Sequence, residues 1–324
     1  MHWILPLVVL ASPTWGWALG WPWLTLLIVA VALPAAEWLW GRSGPDSSGR
    51  WGSQFPRLVL VLLLEQWLMM ALISSGLSWG ETIMMGIACG YVSGGVGIVL
   101  AHELGHRRAS FDRLIARALL ASVAFGHYAI EHNRGHHRAA ATWDDPATAR
   151  RDESLWRFLP RYYSGVWQSA VALSKVQKSP INEAWALMLV TAGLWGLLTW
   201  AAGPKALVLC VLTALVAQWL VGSVDYIEHW GLQRQVQDGK PERMGPQHIW
   251  DCRNRVSDRL LFNLPRHASH HLQPWRHCDD LEHTAPSPQM PTGYAGMVLL
   301  AQSPRLFKRV MEPRLPKPSL TVGL

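Results

Sequence analysis

The sequence predicts an all-α, polytopic membrane protein with about six transmembrane helices and a histidine-rich cytoplasmic cap. Three observations lead to this fold class. Hydrophobic residues make up 50% of the 324 residues and charged residues only 16%, whereas a soluble domain is about a quarter charged. Apolar stretches recur at lengths near the ~20 residues that a transmembrane helix needs. Four histidine clusters follow these stretches on one predicted side of the membrane.

Composition narrows the kinds of partner and cofactor. Twenty Trp against six Phe favours membrane interfaces, where an indole ring is buried while its N–H stays hydrated. The formal net charge is +7, and the basic residues lie in loops beside apolar stretches. Attraction to anionic lipid and to an acidic protein explains this better than nucleic-acid binding. The four cysteines form no Cys-x-x-Cys pair, so any electrons that the chemistry needs must come from another protein.

Six apolar stretches are long enough, or nearly so, to span a bilayer. The first is the least regular, because it is short and contains Pro6 and Pro13; we expect it to be a retained anchor rather than a signal peptide. Very short turns make hairpins of the third and fourth stretches and of the fifth and sixth. The predicted spans are residues 4–17, 23–40, 58–77, 83–101, 185–202 and 206–224.

The loops predict the orientation. The connection 41–57 holds three arginines, Arg42 among them, and Arg107 and Arg108 open the segment after the fourth span. The three opposite connections together carry one basic residue, Lys205. The positive-inside rule then places both termini and all four histidine clusters in the cytoplasm.

Two cytoplasmic regions, residues 102–184 and 225–324, complete a single membrane-embedded domain over residues 1–324. The first contains an apolar run, Leu114–Ala129. We expect a helix there, packed against the spans and the membrane surface, because a seventh span would move the later histidines to the other side. The second region ends in a Pro-rich segment, Pro286–Pro318, which we expect to be extended and to lie on the surface.

Nine clustered histidines predict a metal centre. Neutral imidazole is the commonest metal ligand, and one ion seldom takes more than about four or five. Nine ligands therefore indicate two ions side by side. The predicted ligands are His102, His106, His132, His136, His137, His229, His267, His270 and His271.

Spacing supports this prediction. His102 and His106 are four residues apart and so share one helix face, and the same sequence fits the zincin pattern His-Glu-x-x-His. We expect His132 and His136 to repeat this spacing, and the three histidines of the last cluster to lie near one point. A lone histidine such as His229 is more often a surface or hydrogen-bonded residue; the combination of two triplets, a pair and a single on one side is what favours a metal centre.

The ligand type predicts the ion. Imidazole suits Zn, Cu, Fe and Ni, but a pair of zinc ions would need fewer ligands and usually carboxylate or thiolate among them. Two irons held mostly by His would suit dioxygen activation. Carboxylates should orient the rings through the distal N–H, with a surface ion pair as the alternative for each. The candidates are Glu103, Glu131, Asp144, Asp225 and Glu228.

The histidine clusters resemble the four motifs of the integral-membrane alkane hydroxylases (alkane 1-monooxygenases), a bacterial branch of the membrane fatty-acid desaturase/hydroxylase superfamily. The resemblance continues outside the clusters and covers most of the chain from the third span to about Pro313. The similar segments are His102-Glu-Leu-Gly-His-Arg107, Glu131-His-x-x-Gly-His-His137, Asp225-Tyr-Ile-Glu-His-x-Gly-Leu232, Leu264-x-Arg-His-x-x-His-His271, Ala141-Thr-x-x-Asp-Pro-Ala-Thr-Ala-Arg150, Phe158-Leu-Pro-Arg161 and Pro291-Thr-Gly-Tyr294.

The resemblance implies a six-helix bundle in the bacterial inner membrane with a nine-His di-iron centre at its cytoplasmic end. It implies O2-dependent hydroxylation of a terminal methyl group of a medium- or long-chain alkane, with electrons from rubredoxin and its reductase. An apolar substrate would enter from lipid through a channel between the helices. Large side chains of the third and fourth spans are the channel candidates, with plain helix packing as the alternative: Trp67, Met69, Met70, Met84 and Met85.

Three departures from the family pattern concern the substrate more than the metal. Trp230 replaces the usual Tyr, Pro265 replaces the usual Gln, and Ser269 replaces an acidic residue. None removes a predicted ligand. Loss of the acid is expected to alter the surroundings of the metal ligands.

Other functions remain open at this point. A desaturase or an aromatic methyl hydroxylase of the xylene type shares the metal centre and differs in cavity shape. An intramembrane zinc protease built on His102, Glu103 and His106 accounts for only two of the nine histidines. A metal transporter or sensor predicts His within several spans, whereas here the histidines lie beyond them.

Overall fold

The computed structural model describes residues 3–41, 50–176 and 181–316. Arg42, used in the orientation argument, lies outside the described residues, as do both ends of the chain. Helices dominate the part that is described. The main helices are α1 (Ile4–Ala18), α2 (Leu24–Trp40), α3 (Gln54–Ile73), α4 (Trp79–Gly105), α5 (Ser110–Ser122), α6 (Tyr128–Glu131, continued by His132–His136 and His137–Ala139), α7 (Leu155–Lys175), α8 (Glu183–Ala202), α9 (Pro204–His229), α10 (Arg255–Leu260), α11 (His267–Leu272), α12 (Tyr294–Ala301) and α13 (Pro304–Met311).

The remaining elements are short. Two strands, β1 (Val236–Gln237) and β2 (Lys240–Pro241), pair antiparallel, with Val236 opposite Pro241. Single 3₁₀ turns lie at Ser74–Gly76, Pro246–His248, Cys278–Asp280 and Glu312–Arg314. The all-α prediction is therefore confirmed for the described chain.

Within the described ranges, four helical segments are long and apolar enough to cross a membrane: Gln54–Gly76, Trp79–Gly105, Glu183–Ala202 and Pro204–His229. They correspond to the third to sixth predicted spans and make the chain a multi-pass membrane protein. The first two predicted spans correspond to the shorter apolar helices α1 and α2, so the count of six spans stays a prediction.

Local sequence determines where these helices begin. A capping box starts α4, because the backbone N–H of Glu81 donates to Ser78 Oγ and the Ser78 N–H donates to Glu81 Oε2. The side chain of Asn182 caps α8. Gly203, at φ +80, ends α8, and Pro204 follows as the first residue of α9. The hairpin turns predicted from the sequence are thus built from standard capping residues.

The bundle centres on the contact between α4 and α9. Gly86, Gly90 and Gly94 lie four residues apart on α4 and face α9. A Cβ at Gly90 would lie 2.5 Å from Val216 Cβ, and one at Gly94 would lie 3.0 Å from the Cα of Ala217. Small residues at this spacing let two helix backbones approach closely in lipid. The close approach holds the ends of α4 and α9, which both carry histidines, side by side.

Two expectations for the regions between and after the spans have different outcomes. The run Leu114–Ala129 does not span: α5 ends at Ser122 and packs against α4, and its 13 residues reach only about 20 Å. The prediction of an extended tail is wrong for residues 294–311, because α12 and α13 are helices that bury Met297 and Phe307. Prolines lie at the edges of these helices rather than inside them.

Candidate metal centre

All nine clustered imidazoles meet at one end of the bundle. His102 lies in the last turn of α4, His106 follows it as the C-cap, and His229 ends α9. The α6 segment and α11 bring the other six rings to the same place. Every ring is buried or half-buried.

The nine rings divide into two groups, and within each group the nearest ring nitrogens all lie within 4.8 Å of one another. The first, the five-histidine group, consists of His102, His106, His132, His137 and His270. The second, the four-histidine group, consists of His136, His229, His267 and His271. Two groups of this size match the expectation of two adjacent binding positions.

A π-helical turn determines how His132, His136 and His137 are divided between the two groups. The spacing of four residues predicted that His132 and His136 act together, but the structure pairs His132 with His137, whose Nε2 atoms are 3.0 Å apart. The turn His132–His136 is π-helical, so residues five apart share a face. His136 therefore faces the other group, 3.2 Å from His271.

Helix α11 lies between the two groups. His267 and His271 are one turn apart and their Nε2 atoms are 3.0 Å apart in the four-histidine group. His270 is directed to the other group, with its Nε2 3.2 Å from that of His137. The three rings of α11 do lie close together, with ring centroids 4.5–5.9 Å apart. The sequence did not predict that His270 belongs to a different group from His267 and His271.

The distances fit metal binding. Nitrogens held about 2.1 Å from one ion at octahedral or tetrahedral angles are about 3.0–3.4 Å apart, and six Nε2–Nε2 distances here are 3.0–3.3 Å. The Nε2 of His137 approaches three other Nε2 atoms, and one ring proton does not satisfy three such contacts. His102 Nε2 is buried without a hydrogen-bond partner among the described residues. A cation at each group would satisfy these atoms.

Burial keeps most of the rings neutral. It lowers the pKa of His106 to about 4, and it lowers the pKa values of His132, His137 and His270 well below the usual value. The same holds for His267 and His271. Neutral imidazole is the form that binds a metal, so these rings are ready to act as ligands at neutral pH.

Asp145, rather than the predicted Asp144, contacts the ring nitrogen of His136 that points away from the four-histidine group. Asp145 Oδ2 lies 3.0 Å from His136 Nδ1 and also accepts from the Thr148 hydroxyl. Burial disfavours a charged ring, but Asp145 outweighs it and raises the pKa of His136 to about 9. Asp144 is exposed, because its side chain points away from the turn that carries Asp145 inward.

Glu228 contacts the four-histidine group directly. Its Oε2 lies 3.3 Å from His267 Nε2, the nitrogen that also faces His229 and His271. We expected the carboxylates to contact the ring nitrogen that points away from the metal. Glu228 instead contacts the His267 nitrogen that faces the other rings of its group. Glu228 Oε1 accepts a 2.5 Å hydrogen bond from the Tyr294 hydroxyl.

The other three predicted carboxylates are buried but make their hydrogen bonds elsewhere. Asp225 accepts a 2.5 Å bond from the Tyr162 hydroxyl. Glu131 accepts from Ser169, and burial raises its pKa to about 8. Glu103 pairs with Arg107 and accepts from the Cys278 N–H. Their role around the metal ligands stays a prediction.

Some supporting residues were not foreseen. Asp251 is fully buried, and its Oδ1 accepts from the Ala268 N–H at the start of α11, which stabilises the helix that carries three histidines. Tyr294 and Asp145 both belong to segments noted for their resemblance to the family. Those segments were the signal, but a sequence does not show which of their residues faces the metal centre.

The three departures from the family pattern have structural roles. Trp230 is buried against Phe307, and its carbonyl accepts from Trp250 Nε1. The Pro265 carbonyl accepts from the Cys252 N–H, and α11 starts after Arg266. Ser269 Oγ accepts from the Glu282 N–H. These bonds hold the loops around the centre together.

A largely apolar cavity ends at the metal centre. Its volume is about 140 Å³, and its polar end includes His102, His132, His267, Glu228 and Asp225. The rest of its wall is formed mainly by apolar side chains of α2, α4, α9, α10 and α12. An apolar molecule in this space would reach the imidazoles with one end.

The five residues predicted to line a channel are not among those that line this cavity. Trp67, Met70 and Met85 pack together with α8 and α9 in a separate apolar cluster, Met69 lies in an outer groove beside α1, and Met84 is half-buried. The part of α4 that lines the cavity is its later half, from Tyr91 to His102, including Val96 and Val99. Glu65, a carboxylate within the third predicted span, is exposed in the same outer groove.

Comparison with known proteins identifies relatives. A sequence model of the fatty acid desaturase family matches residues 77–300. Alkane 1-monooxygenase of Pseudomonas putida is 37% identical over 251 residues, covering 75% of this chain and 62% of that protein. Alkane 1-monooxygenase 2 of Pseudomonas aeruginosa is 31% identical over 348 aligned positions, covering 97% and 91%.

A more distant relative is the hydroxylase component of a xylene/toluene monooxygenase from Pseudomonas putida, 23% identical over 71% of this chain and 63% of that protein. The chain spans 60% to 62% of the length of three of the alkane 1-monooxygenases that it matches. With a family match over most of its length and a relative aligned nearly end to end, the chain belongs to the fatty acid desaturase family, in its alkane hydroxylase branch.

Proposed function

We propose that this protein hydroxylates the terminal methyl group of medium- or long-chain alkanes in an O2-dependent reaction that yields primary alcohols. The observation that carries the proposal is a largely apolar cavity that ends at two adjoining groups of imidazoles. An alkane offers no polar group for recognition, so shape and dryness must orient it. Its relatives named alkane 1-monooxygenase support the substrate class.

The proposed cofactor is a pair of iron ions, one held by the five-histidine group and the other by the four-histidine group. Iron suits imidazole ligands, and the nitrogen spacings are those of shared coordination. When bound, the two irons would supply activation of O2 and insertion of one oxygen atom into a C–H bond.

The chain's own residues prepare this site. Apolar side chains such as Val221 and Leu264 line the cavity and exclude water from it. The Tyr294 hydroxyl donates a hydrogen bond to Glu228 Oε1, and this leaves Glu228 Oε2 directed at His267. Asp145 holds the orientation of His136 through Nδ1. These contacts position the rings relative to the cavity without taking part in C–H cleavage.

The proposed electron donor is rubredoxin, supplied by its reductase. A surface depression is lined by Arg57, Arg107, Trp275 and Arg276 and has the metal-centre residue His106 in its wall. Trp275 is 74% exposed. Basic residues around an exposed aromatic side chain suit an acidic redox protein, and the depression leads directly to the five-histidine group.

The proposed location is the bacterial inner membrane, with the metal centre and both termini on the cytoplasmic side. The argument is the loop charge: arginines lie beside the metal centre, and Lys205 is the one basic residue in the turns at the other end. A reduced cytoplasmic donor can reach the depression only in this orientation.

Expression in membranes with rubredoxin, its reductase and NADH tests the activity. Octane should give 1-octanol, whereas p-xylene and a fatty acyl substrate test the two alternatives. His271→Ala should abolish turnover and lower bound iron, because it removes a ring from the four-histidine group. His127→Ala is the matched control, since His127 is buried but lies outside both groups. Absence of any alcohol from the wild-type protein would refute the proposal.

Hydroxylation of an aromatic methyl group is the second candidate. The cavity, at about 140 Å³, is close to the ~150 Å³ apolar cavity that holds benzene in an engineered protein, and one relative is named a xylene/toluene monooxygenase component. Conversion of p-xylene at a higher kcat/KM than octane would favour it. A zinc protease built on His102, Glu103 and His106 would instead hold about one zinc and no iron.

A further inference from the structure

Glu37 is a buried carboxylate of α2 that no sequence pattern marked. Its side chain is 3% exposed and lies in the wall of the cavity. Its Oε1 accepts from Ser257 Oγ at 2.7 Å and from the Ala295 N–H at 3.0 Å, and its Oε2 accepts from the Gly296 N–H at 2.8 Å. Three hydrogen bonds therefore hold this buried carboxylate in one position.

These bonds join three elements. The Glu37 carbonyl accepts from Asn254 Nδ2, and the Asn254 side chain caps α10. The carboxylate itself binds the free N–H groups in the first turn of α12, where a negative charge is stabilising. Ser257 Oγ, held by Glu37, accepts from the Tyr294 N–H at 2.9 Å. Both the start and the position of α12 therefore depend on Glu37.

Helix α12 carries this positioning to the metal centre. Its first residue, Tyr294, donates to Glu228, and Glu228 Oε2 lies 3.3 Å from His267 Nε2. The same helix contributes Ala295 and Val298 to the cavity wall. We propose that Glu37 is a positioning residue, which fixes the segment Pro291–Tyr294 so that Tyr294 orients Glu228 toward His267.

Gly293 supports this inference independently. A Cβ at this residue would clash with Glu37 Cδ and would lie 2.6 Å from Ser257 Oγ. Glycine is therefore required by the closeness of the carboxylate and not by backbone conformation, since its φ is −70. The Pro-Thr-Gly-Tyr segment, unexplained by the proposed function alone, is shaped around Glu37.

The inference can be tested first without metal. Hydrogen exchange in the metal-free protein should show residues 294–301 exchanging about tenfold faster or more in Glu37→Ala, because two backbone hydrogen bonds are lost. Gly293→Ala, which displaces an intact carboxylate, should have the same local effect. Gly196→Ala is the control, because within the described residues no atom beyond its chain neighbours and own helix backbone lies within 4 Å of the added Cβ. Unchanged exchange in both test variants would overturn the proposal.

The second test concerns the path through Tyr294 and rests on the proposed function. Mössbauer spectra of the iron-loaded protein should change for only one of two iron sites in Glu37→Ala, and for the same site in Tyr294→Phe. Each change should lower kcat about tenfold, and the double variant should be no worse than the poorer single one. Additive losses, or an unchanged spectrum, would overturn the path.

The two kinds of failure can be told apart. A wild-type protein that binds no iron would refute the proposed function, while the exchange measurement would still decide whether Glu37 holds α12. Iron binding with normal turnover but no local effect of Glu37→Ala would refute only the positioning role.

Discussion

At the scale of single residues, the orientation of each imidazole depends on which of its nitrogens has a fixed partner. His136 is the clearest case, because its Nδ1 contacts Asp145 and its Nε2 faces His271. Asp145 is in turn held by Thr148 and by the Ala147 N–H. A rigid carboxylate behind a ligand raises the basicity of the ring and fixes its tautomer.

Replacing Asp145 with Asn should therefore lower iron affinity about 10- to 100-fold. The ring would lose its charged partner and the preference for a free Nε2 lone pair. The measurement is iron retained per protein during dialysis against a graded chelator. Asp144→Asn is the matched control, because Asp144 is adjacent and exposed and should retain wild-type iron. Equal loss of iron in the two variants would contradict the role given to Asp145.

The sequence predicted the identity of the nine converging histidines but not their partners. The residue types and their i, i+4 spacing are visible in a sequence, and all nine rings do meet. Whether Asp144 or Asp145 faces inward depends on one turn of an irregular loop, which no periodicity describes. Glu37 could not be foreseen at all, because its contacts on Ser257, Ala295 and Gly296 join parts of the chain more than 200 residues apart.

At the scale of elements, helix geometry divides the ligands. The π-helical turn His132–His136 places His137 beside His132, and α11 gives rings to both groups. Apolar length predicted the four long helices well, because the length of a spanning helix follows from bilayer thickness. It does not reveal a π turn, which adds a residue to a helical turn without changing the composition. Nor does it show which helix faces meet, so the residues predicted to line a channel differ from those that line the cavity.

The contact of α4 with α9 gives a prediction at this scale. Gly90→Ala should destabilise the protein by about 1–3 kcal/mol, because the added methyl overpacks a tight interface and would lie 2.5 Å from Val216 Cβ. Since both helices end in histidines, bound iron should also fall. Thermal unfolding in detergent and metal analysis measure these effects.

Gly196→Ala on α8 is the control for that experiment. In the part of the chain that the structure describes, no other helix or loop comes within 4 Å of its added Cβ. The variant should therefore be as stable as wild type or slightly more stable, because Ala favours a helix over Gly. If Gly90→Ala were equally harmless, the close approach of α4 and α9 would not be what holds the two helix ends together.

At the scale of the whole molecule, charge and hydrophobicity are segregated along the bundle. The imidazoles, the basic depression and the carboxylates around the cavity end lie together, and the turns at the other end of α3, α4, α8 and α9 hold one lysine, Lys205. This arrangement would bring a cytoplasmic electron donor and a lipid-dissolved substrate to one centre from different directions.

Labelling of single cysteines tests the orientation. The four native cysteines are buried and should react little with an impermeant maleimide. Ser75→Cys lies in the exposed turn after α3. It should be labelled in cells whose outer membrane is permeabilised and whose inner membrane is intact. Gln237→Cys, exposed on β1, should react only after the inner membrane is opened. The reverse pattern would place the imidazoles on the periplasmic side.

Counting the metal ions in the purified, detergent-solubilised protein tests the central claim most directly. Two groups of imidazoles that each hold an ion predict close to two iron atoms per chain, with little zinc, and a Mössbauer spectrum that resolves two sites. A single metal atom per chain, or zinc in place of iron, would contradict a paired iron centre and with it the proposed oxygen chemistry.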